Sequence, residues 1–342
     1  MDRRMNRKIT SMDVAAKAGV SQSAVSRVFT PGSSVSEKMA RKVRDAAEEL
    51  GYRPNVLARS LITGSSRIIG LVVAYLDNPF YADALQKLSE ALDQEGYHLL
   101  VFMAGNTQGD VDHVIESLMD YQVDGIITAS INLSGELAER CARAGIPVVC
   151  FNRSVIGEGL SAISSANRAG GAKIAAFLAA GGHQRCAHIS GWQGSSTGRE
   201  RAEGFAVGLS EAGLEVHAQI DGMFDRDTAM NAAQTLMQMS EPPDAIFVGN
   251  DHMAMAIMDH LRFAMGLSVP NDVSVVGYDD VPMAAWPSYD LTTLRQPARR
   301  MVDATVQEIL TRITTPDAPV RRIEIDGPLL VRGSARLPKE AP

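Results

Sequence analysis

Met12-Asp-Val-Ala-Ala-Lys-Ala-Gly-Val-Ser-Gln-Ser-Ala-Val-Ser-Arg-Val-Phe-Thr-Pro31 reads as two short helices joined at Ala18-Gly19-Val20. Val14, Ala15 and Ala18 give the first an apolar face, and Val25, Val28 and Phe29 give one to the second. Gly19 suits a helix C-terminus, where a left-handed residue costs little. Ser21 stands where a hydroxyl accepts an unpaired N–H of the next helix. Two helices on so short a turn form a helix-turn-helix, whose second helix lies in the DNA major groove. Gln22, Ser23, Ser26 and Arg27 fall largely off the apolar face, and an arginine there can donate two hydrogen bonds to the O6 and N7 of a guanine. A helical hairpin with a solvated face carries the same pattern, so the flanking sequence has to discriminate.

Upstream, residues 1–10 read as a basic arm, and Thr10-Ser11-Met12-Asp13 caps the first helix. Downstream, Thr30-Pro-Gly-Ser-Ser34 is a turn by composition. A third helix is expected from Ser36 to Leu50, with Met39, Val43, Ala46, Ala47 and Leu50 at helical spacing and Arg41, Lys42 and Arg44 off that stripe. A short helical segment then starts at Pro54 and ends at Gly64-Ser-Ser66. Helices of that length are marginal alone, because nucleation costs more than so few bonds return.

The pieces Asp13-Val-Ala-x-x-Ala-Gly-Val-Ser21, Val25-Ser-Arg-Val28, Val35-Ser36, Gly51-Tyr-x-Pro-Asn55 and Ala58-x-x-Leu61 together resemble the lactose/galactose-repressor (LacI/GalR) family of bacterial transcription regulators. The DNA-facing residues expected on that basis are Ser21, Gln22, Ser23, Ser26, Arg27, Thr30, Asn55, Ala58 and Leu61. The resemblance implies a hinge helix that orders when a dimer meets its operator, with Leu61 wedged into the minor groove and Ala58 beside it. Such wedges trade a few kcal/mol of unstacking for a bent duplex and more contact.

The 342-residue chain is too long for one core, and 45% apolar with 21% charged residues is ordinary globular composition. The net charge of −7 hides an asymmetry: residues 1–60 hold twelve Lys/Arg against six Asp/Glu, and the remainder is acidic. A basic module on an acidic body is the pattern expected where one end meets phosphate. The start of the chain lacks the apolar segment of a secretory signal and no run reaches spanning length, which predicts a cytoplasmic, nucleoid-associated protein. Cys141, Cys150 and Cys186 read as reduced core residues, and the seven His show no ligand spacing. No metal site and no cofactor are expected.

From Arg67 onward strand and helix patterns alternate. Strands are expected at 68–74, 98–104, 125–129, 148–151, 186–191, 215–219, 245–249 and 273–277. Helices are expected at 80–95, 110–120, 135–144, 168–180, 197–212, 227–239 and 251–265. Alternation of this kind makes doubly wound parallel sheets, and a break near 161–167 divides two of them. The landmarks Asn78-Pro-Phe-Tyr81, Val123-Asp-Gly125, Gly145-Ile-Pro147, Gly182-His183, Gly204-Phe205, Asn250-Asp251, Val275-Val-Gly-Tyr-Asp279 and Leu291-Thr-Thr-Leu-Arg-Gln296 are similar to the periplasmic sugar-binding-protein fold that this repressor family uses as its effector module. The expected architecture is therefore a small all-α helix-turn-helix headpiece (1–52), a hinge (53–66) and a two-lobed α/β core (67–342). Its N-lobe would span 67–164 and 294–325, and its C-lobe 165–293 and 326–336.

In open parallel sheets, ligands sit beyond the carboxyl ends of strands. Those ends carry Tyr75, Asp77, Asn78, Asn152, Arg153, Trp192, Asn250, Asp251 and Asp279, a supply of aromatic faces and hydrogen-bonding groups for a small polyhydroxylated ligand. By the resemblance, Arg201 matches an effector-gripping arginine, Asp279 the aspartate of the Gly-Tyr-Asp turn, and Asn250-Asp251 the Asn-Asp pair. Asn152 stands where an aspartate is frequent. Phe80, Tyr81 and Phe224 match aromatic pocket positions, with Trp286 and Gln296 further candidates. Asn152-Arg153 departs from relatives that carry an acid there; with Arg201, Arg153 would suit a carboxylate, so a neutral sugar and a sugar acid both stand.

The expected function is a ligand-responsive DNA-binding repressor of a carbohydrate or sugar-acid operon, acting as a homodimer on a near-palindromic operator. No heptad-like helix follows Arg332 to suggest a tetramer. Two other classes compete. A stand-alone sugar-binding protein would share the core but replace the basic helices with a signal sequence. A serine hydrolase has a foothold in Gly194-Ser-Ser-Thr-Gly198, which satisfies Gly-x-Ser-x-Gly between a strand and a helix. It needs an acid and a His in support, and His252 and His260 both fall at or within a predicted helix, so no enzyme is expected.

Overall fold

The computed structural model describes residues 9–30, 33–53, 64–104, 108–131, 134–153 and 159–338. They divide into two compact units, Met1–Arg67 and Ile68–Pro342. No helix among the described residues is long and apolar enough to cross a membrane.

In the first unit, α1 (Ser11–Ala18), α2 (Gln22–Val28) and α3 (Glu37–Leu50) are each started by a side chain suited to the task. The Asp13 carboxylate accepts the Thr10 N–H at 2.8 Å and its hydroxyl at 2.7 Å, which closes the first turn of α1. Ser21 Oγ accepts Ala24 N–H at 3.2 Å and Ser36 Oγ accepts Met39 N–H at 3.4 Å. Gly19, at φ 64°, ends α1 in the left-handed region and turns the chain into α2. The three helices close on Val14, Ala15, Val25, Val43, Ala46 and Ala47, with Phe29 and Tyr52 tilted against each other at 6.0 Å. Met39, expected in this stripe, is instead exposed: it lies in the first turn of α3, before the packing seam begins at Val43.

The second unit holds two six-stranded sheets. The first runs in the order β11-β5-β4-β3-β1-β2, built from β1 (Ile68–Val73), β2 (His98–Met103), β3 (Gly125–Ala129), β4 (Val148–Phe151), β5 (Ser161–Ser165) and β11 (Arg322–Ile325). The second runs β12-β10-β9-β8-β6-β7, from β6 (Cys186–Ser190), β7 (Ala218–Asp221), β8 (Ala245–Val248), β9 (Ser274–Asp279), β10 (Thr292–Arg295) and β12 (Leu329–Leu330). Every pairing is parallel except β12 against β10. Near-continuous apolar runs such as Ile-Ile-Gly-Leu-Val-Val in β1 are what a sheet covered on both faces requires. The helices that cover them are α4 (Pro79–Gln94), α5 (Gln108–Asp120), α6 (Gly135–Arg143), α7 (Asn167–Ala180), α8 (Ser196–Glu211), α9 (Arg226–Met237), α10 (Asp251–Asp259) and α11 (Ala298–Thr314).

The chain changes sheet three times: after Ser165, after Arg295 and after Ile325. Leu294 and Arg295 still pair with Tyr278 and Asp279, so the second crossing falls just past Leu294.

Several elements differ from the sequence pattern. Ser161-Ala-Ile-Ser-Ser165 is a fully buried strand rather than a break, and its hydroxyls are absorbed by the core. Ser161 Oγ donates to Glu308 at 2.6 Å, and Ser165 Oγ lies 2.9 Å from the Tyr278 hydroxyl. The strand expected at 215–219 starts later, at Ala218, because pairing with Ala187 begins there; Leu214 and Val216 pack on the core before it. The helix expected through 265 changes to a π-helical turn at His260–Ala264.

Candidate functional site

On α2, Ala24 and Val25 are buried and turn the polar residues outward. Gln22, Ser23 and Arg27 are exposed, while Ser26 and Thr30 are half-buried. The polar groups are held locally: Gln22 Nε2 donates to Ser11 Oγ at 3.0 Å, Ser21 and Ser23 hydroxyls lie 2.9 Å apart, and Thr30 Oγ1 donates to the Ser26 carbonyl at 2.8 Å. Ser21 is thus a helix cap as well as a candidate contact. Asn55, Ala58 and Leu61 lie outside the described residues.

In the second unit, the carboxyl ends of both sheets converge on one cleft, whose two walls differ. On the second-sheet wall Arg201, within α8, is engaged on several sides. Its Nη1 donates to the Gly249 carbonyl at 2.5 Å and stands 3.7 Å from Asp279, its Nε donates to Asn167 Oδ1 at 3.0 Å, and its guanidinium lies 3.6 Å from the centre of the Tyr278 ring. Asp279 ends β9 at φ 129° and accepts from Gln296 Nε2 at 2.6 Å and, across the cleft, from Asn78 Nδ2 at 3.2 Å. Asp251 accepts Val281 N–H at 3.0 Å and the Thr293 hydroxyl at 2.6 Å. Gly277 leaves room for it, since a Cβ there would stand 2.2 Å from Asp251 Oδ1. Burial first, then the neighbouring Asp279 carboxylate, pushes Asp251 above the ordinary carboxylate range; burial does the same to Asp279 against the pull of Arg201. Asn250 caps α10, accepting Met253 N–H at 2.9 Å.

The first-sheet wall is less complete. The Tyr81 hydroxyl is joined to Ser130 Oγ by a short hydrogen bond and accepts Asn152 Nδ2–H at 3.1 Å. Ser130 Oγ also reaches the Tyr75 hydroxyl at 3.5 Å, and the two tyrosine rings meet edge to face at 5.4 Å. Burial, followed by Tyr81, raises the Tyr75 phenol. Asn152 sits at φ 58° with its Oδ1 buried and unpartnered among the described residues. Arg153 is 4% exposed; only its Nη2 bonds, donating to the Ser130 carbonyl at 3.0 Å. Its Nε and Nη1 have no partner among the described residues, and its guanidinium lies 6.0 Å from the Trp192 ring of the opposite wall. A second contact across the cleft pairs Asp77 with His252 at 3.6 Å.

Not every candidate joins this group. Phe80 is buried and stacked on Phe151 at 6.2 Å, and one side of it lines a cavity of about 230 Å³ shared with Asp279, Arg295 and Gln296. Phe224, at φ 57°, packs over Gly191. Trp286 is 54% exposed, and none of the described ring or hydrogen-bond contacts ties its side chain to Arg201 or Asp279. Sequence reasoning did not name Ser130, Asn167, Tyr278 or Thr293 as site residues: Ser130 follows β3, Asn167 opens α7, and Tyr278 and Thr293 lie within β9 and β10. Tyr278 and Thr293 fall inside the Val275–Asp279 and Leu291–Gln296 landmarks; no signal pointed to the other two. The Gly194–Gly198 spacing has a packing cause. Ser195 caps α8 by accepting Gly198 N–H at 3.0 Å, and a Cβ on Gly198 would meet the Trp192 carbonyl at 2.4 Å.

Residues 10–55 match the description "Bacterial regulatory proteins, lacI family", and residues 175–335 match "Periplasmic binding protein-like domain". The chain is 32% identical to the HTH-type transcriptional repressor PurR of Photobacterium profundum over 333 residues, covering 96% of this chain and 98% of that protein. The chain belongs to the LacI family. A second LacI-family relative, the ribose operon repressor of Escherichia coli (strain K12), is 32% identical over 334 residues, 95% of this chain and 99% of that one. Among solved LacI-family structures, the lac repressor dimer bound to operator and the anti-inducer ONPF superposes with a TM-score of 0.85 at 26% identity, covering 96% of this chain and 99% of that one. The transcriptional regulator CelR–cellobiose complex gives 0.72 at 30% identity, covering 96% and 100%.

Proposed function

We propose that this LacI-family chain is a transcriptional repressor that grips an operator with residues 1–52 and is controlled by a small effector in the cleft of residues 67–342. The observation that carries the reading is the face of α2, where a buried Ala24–Val25 edge leaves Gln22, Ser23 and Arg27 in solvent on a doubly capped helical pair. The relatives named as repressors support it over nearly their whole length. One such helix buries too little for tight selection, so the working unit is a homodimer on a near-palindromic site. In it Arg27 reads a guanine, and Ser21, Gln22, Ser23, Ser26 and Thr30 touch bases or phosphates. Residues 53–66 are the hinge, with Asn55, Ala58 and Leu61 at the minor groove. The effector is a sugar, sugar acid or derivative, and it requires neither cofactor nor catalysis. The protein works where the DNA is, in the cytoplasm at the nucleoid.

Selection of duplexes from a random pool by the full chain tests this reading. A near-palindromic sequence should be enriched, and Arg27→Ala should lose about 1–3 kcal/mol and relax one base preference. Uniform weakening across sequences would remove Arg27 from base reading, and no enrichment would remove the function.

A further inference from the structure

Arg153 is a cleft residue whose charge no described neighbour explains. It is 4% exposed, and among the described residues a single carbonyl, that of Ser130, satisfies one of its nitrogens. Nε and Nη1 are buried without a partner, and no carboxylate lies within ion-pair distance of it among the described residues. Burial drives its proton affinity down; the Tyr81 and Tyr75 phenols oppose this, and the cations Arg201 and Arg199 add to it. A guanidinium stays protonated regardless, and no described residue offsets the cost of the buried charge, which a bound anion would do.

The neighbouring orphan has the opposite polarity. Asn152 Oδ1, on the residue before Arg153, is a buried acceptor with no donor among the described residues. Tyr81 and Ser130 hydroxyls close that corner, and Trp192 covers it from the opposite wall. A neutral sugar's hydroxyls can donate to the acceptor and accept from the arginine N–H groups, but they leave the charge uncompensated. An acid carrying hydroxyls answers all of them.

We infer that the effector is a hydroxylated carboxylic acid, its carboxylate held by the Arg153 guanidinium and an adjacent hydroxyl donating to Asn152 Oδ1. The guanidinium fork fits a carboxylate with two parallel hydrogen bonds. Arg201 plays a different part: its Nε and Nη1 already donate to Asn167 and Gly249, and Asp279 stands 3.7 Å away, so its charge is offset within the opposite wall. This rests on the cleft being the effector site, as proposed above, but concerns only what the cleft binds.

The test is calorimetry and thermal melting of the full chain with D-gluconate, D-glucuronate, D-galacturonate and D-glycerate, each beside its neutral counterpart. At least one acid should bind, at least about 100-fold more tightly than the neutral compound, the worth of a charge-assisted hydrogen-bonded pair. Arg153→Met should abolish that preference yet raise the melting temperature of the ligand-free protein by a few degrees, since it removes an unpaired buried charge. Arg153→Lys should keep the charge, lose the fork and fall between the two. Binding of neutral sugars alone, or of no acid at all, overturns the inference and leaves the repressor reading standing. Equal acid affinity in wild type and Arg153→Met also overturns it. Acid binding that depends on Arg153 while the full chain enriches no duplex sustains the inference and defeats the repressor reading instead.

Discussion

The two walls of the cleft use the same residue type for opposite purposes. Arg201 spends its guanidinium on a carbonyl, an amide, a carboxylate and an aromatic face, all from its own lobe. Among the described residues, Arg153 has one carbonyl and nitrogens without a partner. A satisfied buried charge holds a wall in one geometry; an unsatisfied one is costly until something binds. The comparison teaches that the second-sheet wall offsets its own buried charge, whereas the first-sheet wall, among the described residues, does not; with the inferred acid as effector, that is the wall where ligand identity is read.

The largest expected effect lies on the second-sheet side. Arg201→Met leaves Asp279 and Asn167 buried without their cation, and should lower unfolding stability by about 3–5 kcal/mol in urea titration. A loss no greater than that of an exposed arginine would erase the distinction between the walls. Tyr81→Phe removes the hydroxyl that links Ser130 to Asn152 and should cost about 1 kcal/mol, because it strands the Asn152 amide. The same variant should weaken ligand binding more than it weakens the fold, and a purely structural loss would make Tyr81 core.

The smallest effect is one of pH. Asp251 and Asp279 sit above the ordinary carboxylate range, so the folded chain holds protons there that the unfolded chain has released. Their contribution to stability is therefore present at low pH and is lost as pH rises through the raised values. Asp251→Asn cannot titrate and relieves Asp279 of its neighbour. The difference in melting temperature between wild type and Asp251→Asn should move in favour of the wild type as pH falls from 8 to 5. A difference flat with pH would mean the pair is not strained in the folded protein.

Much of this is legible in the chain itself, where the signal is local. Thr10 with Asp13, Gly19, Ser21 and Ser36 cap helices through contacts three or four residues apart, and their chemistry can be read from the letters alone. The apolar runs of β1, β3 and β4 reveal a covered parallel sheet in the same way. What stays hidden depends on partners far along the chain. Ser161–Ser165 looks like a linker until Glu308 and Tyr278 arrive to satisfy its hydroxyls. Arg153 reads in sequence as a surface cation or half of an arginine pair. Only the folded cleft shows that Arg201 is already engaged while Arg153 is not, because the number of empty hydrogen-bonding positions is a property of packing and not of sequence.

Coupling between the two units tests the whole reading most directly. A duplex selected by the full chain should be titrated, with fluorescence anisotropy as readout, in the absence of ligand and in the presence of the sugar acid that most raises the melting temperature. Occupying the cleft should change the operator dissociation constant by about 5- to 150-fold, the range of ordinary allosteric coupling, and the duplex should change acid affinity by the same factor. An operator affinity indifferent to a saturated cleft would contradict it.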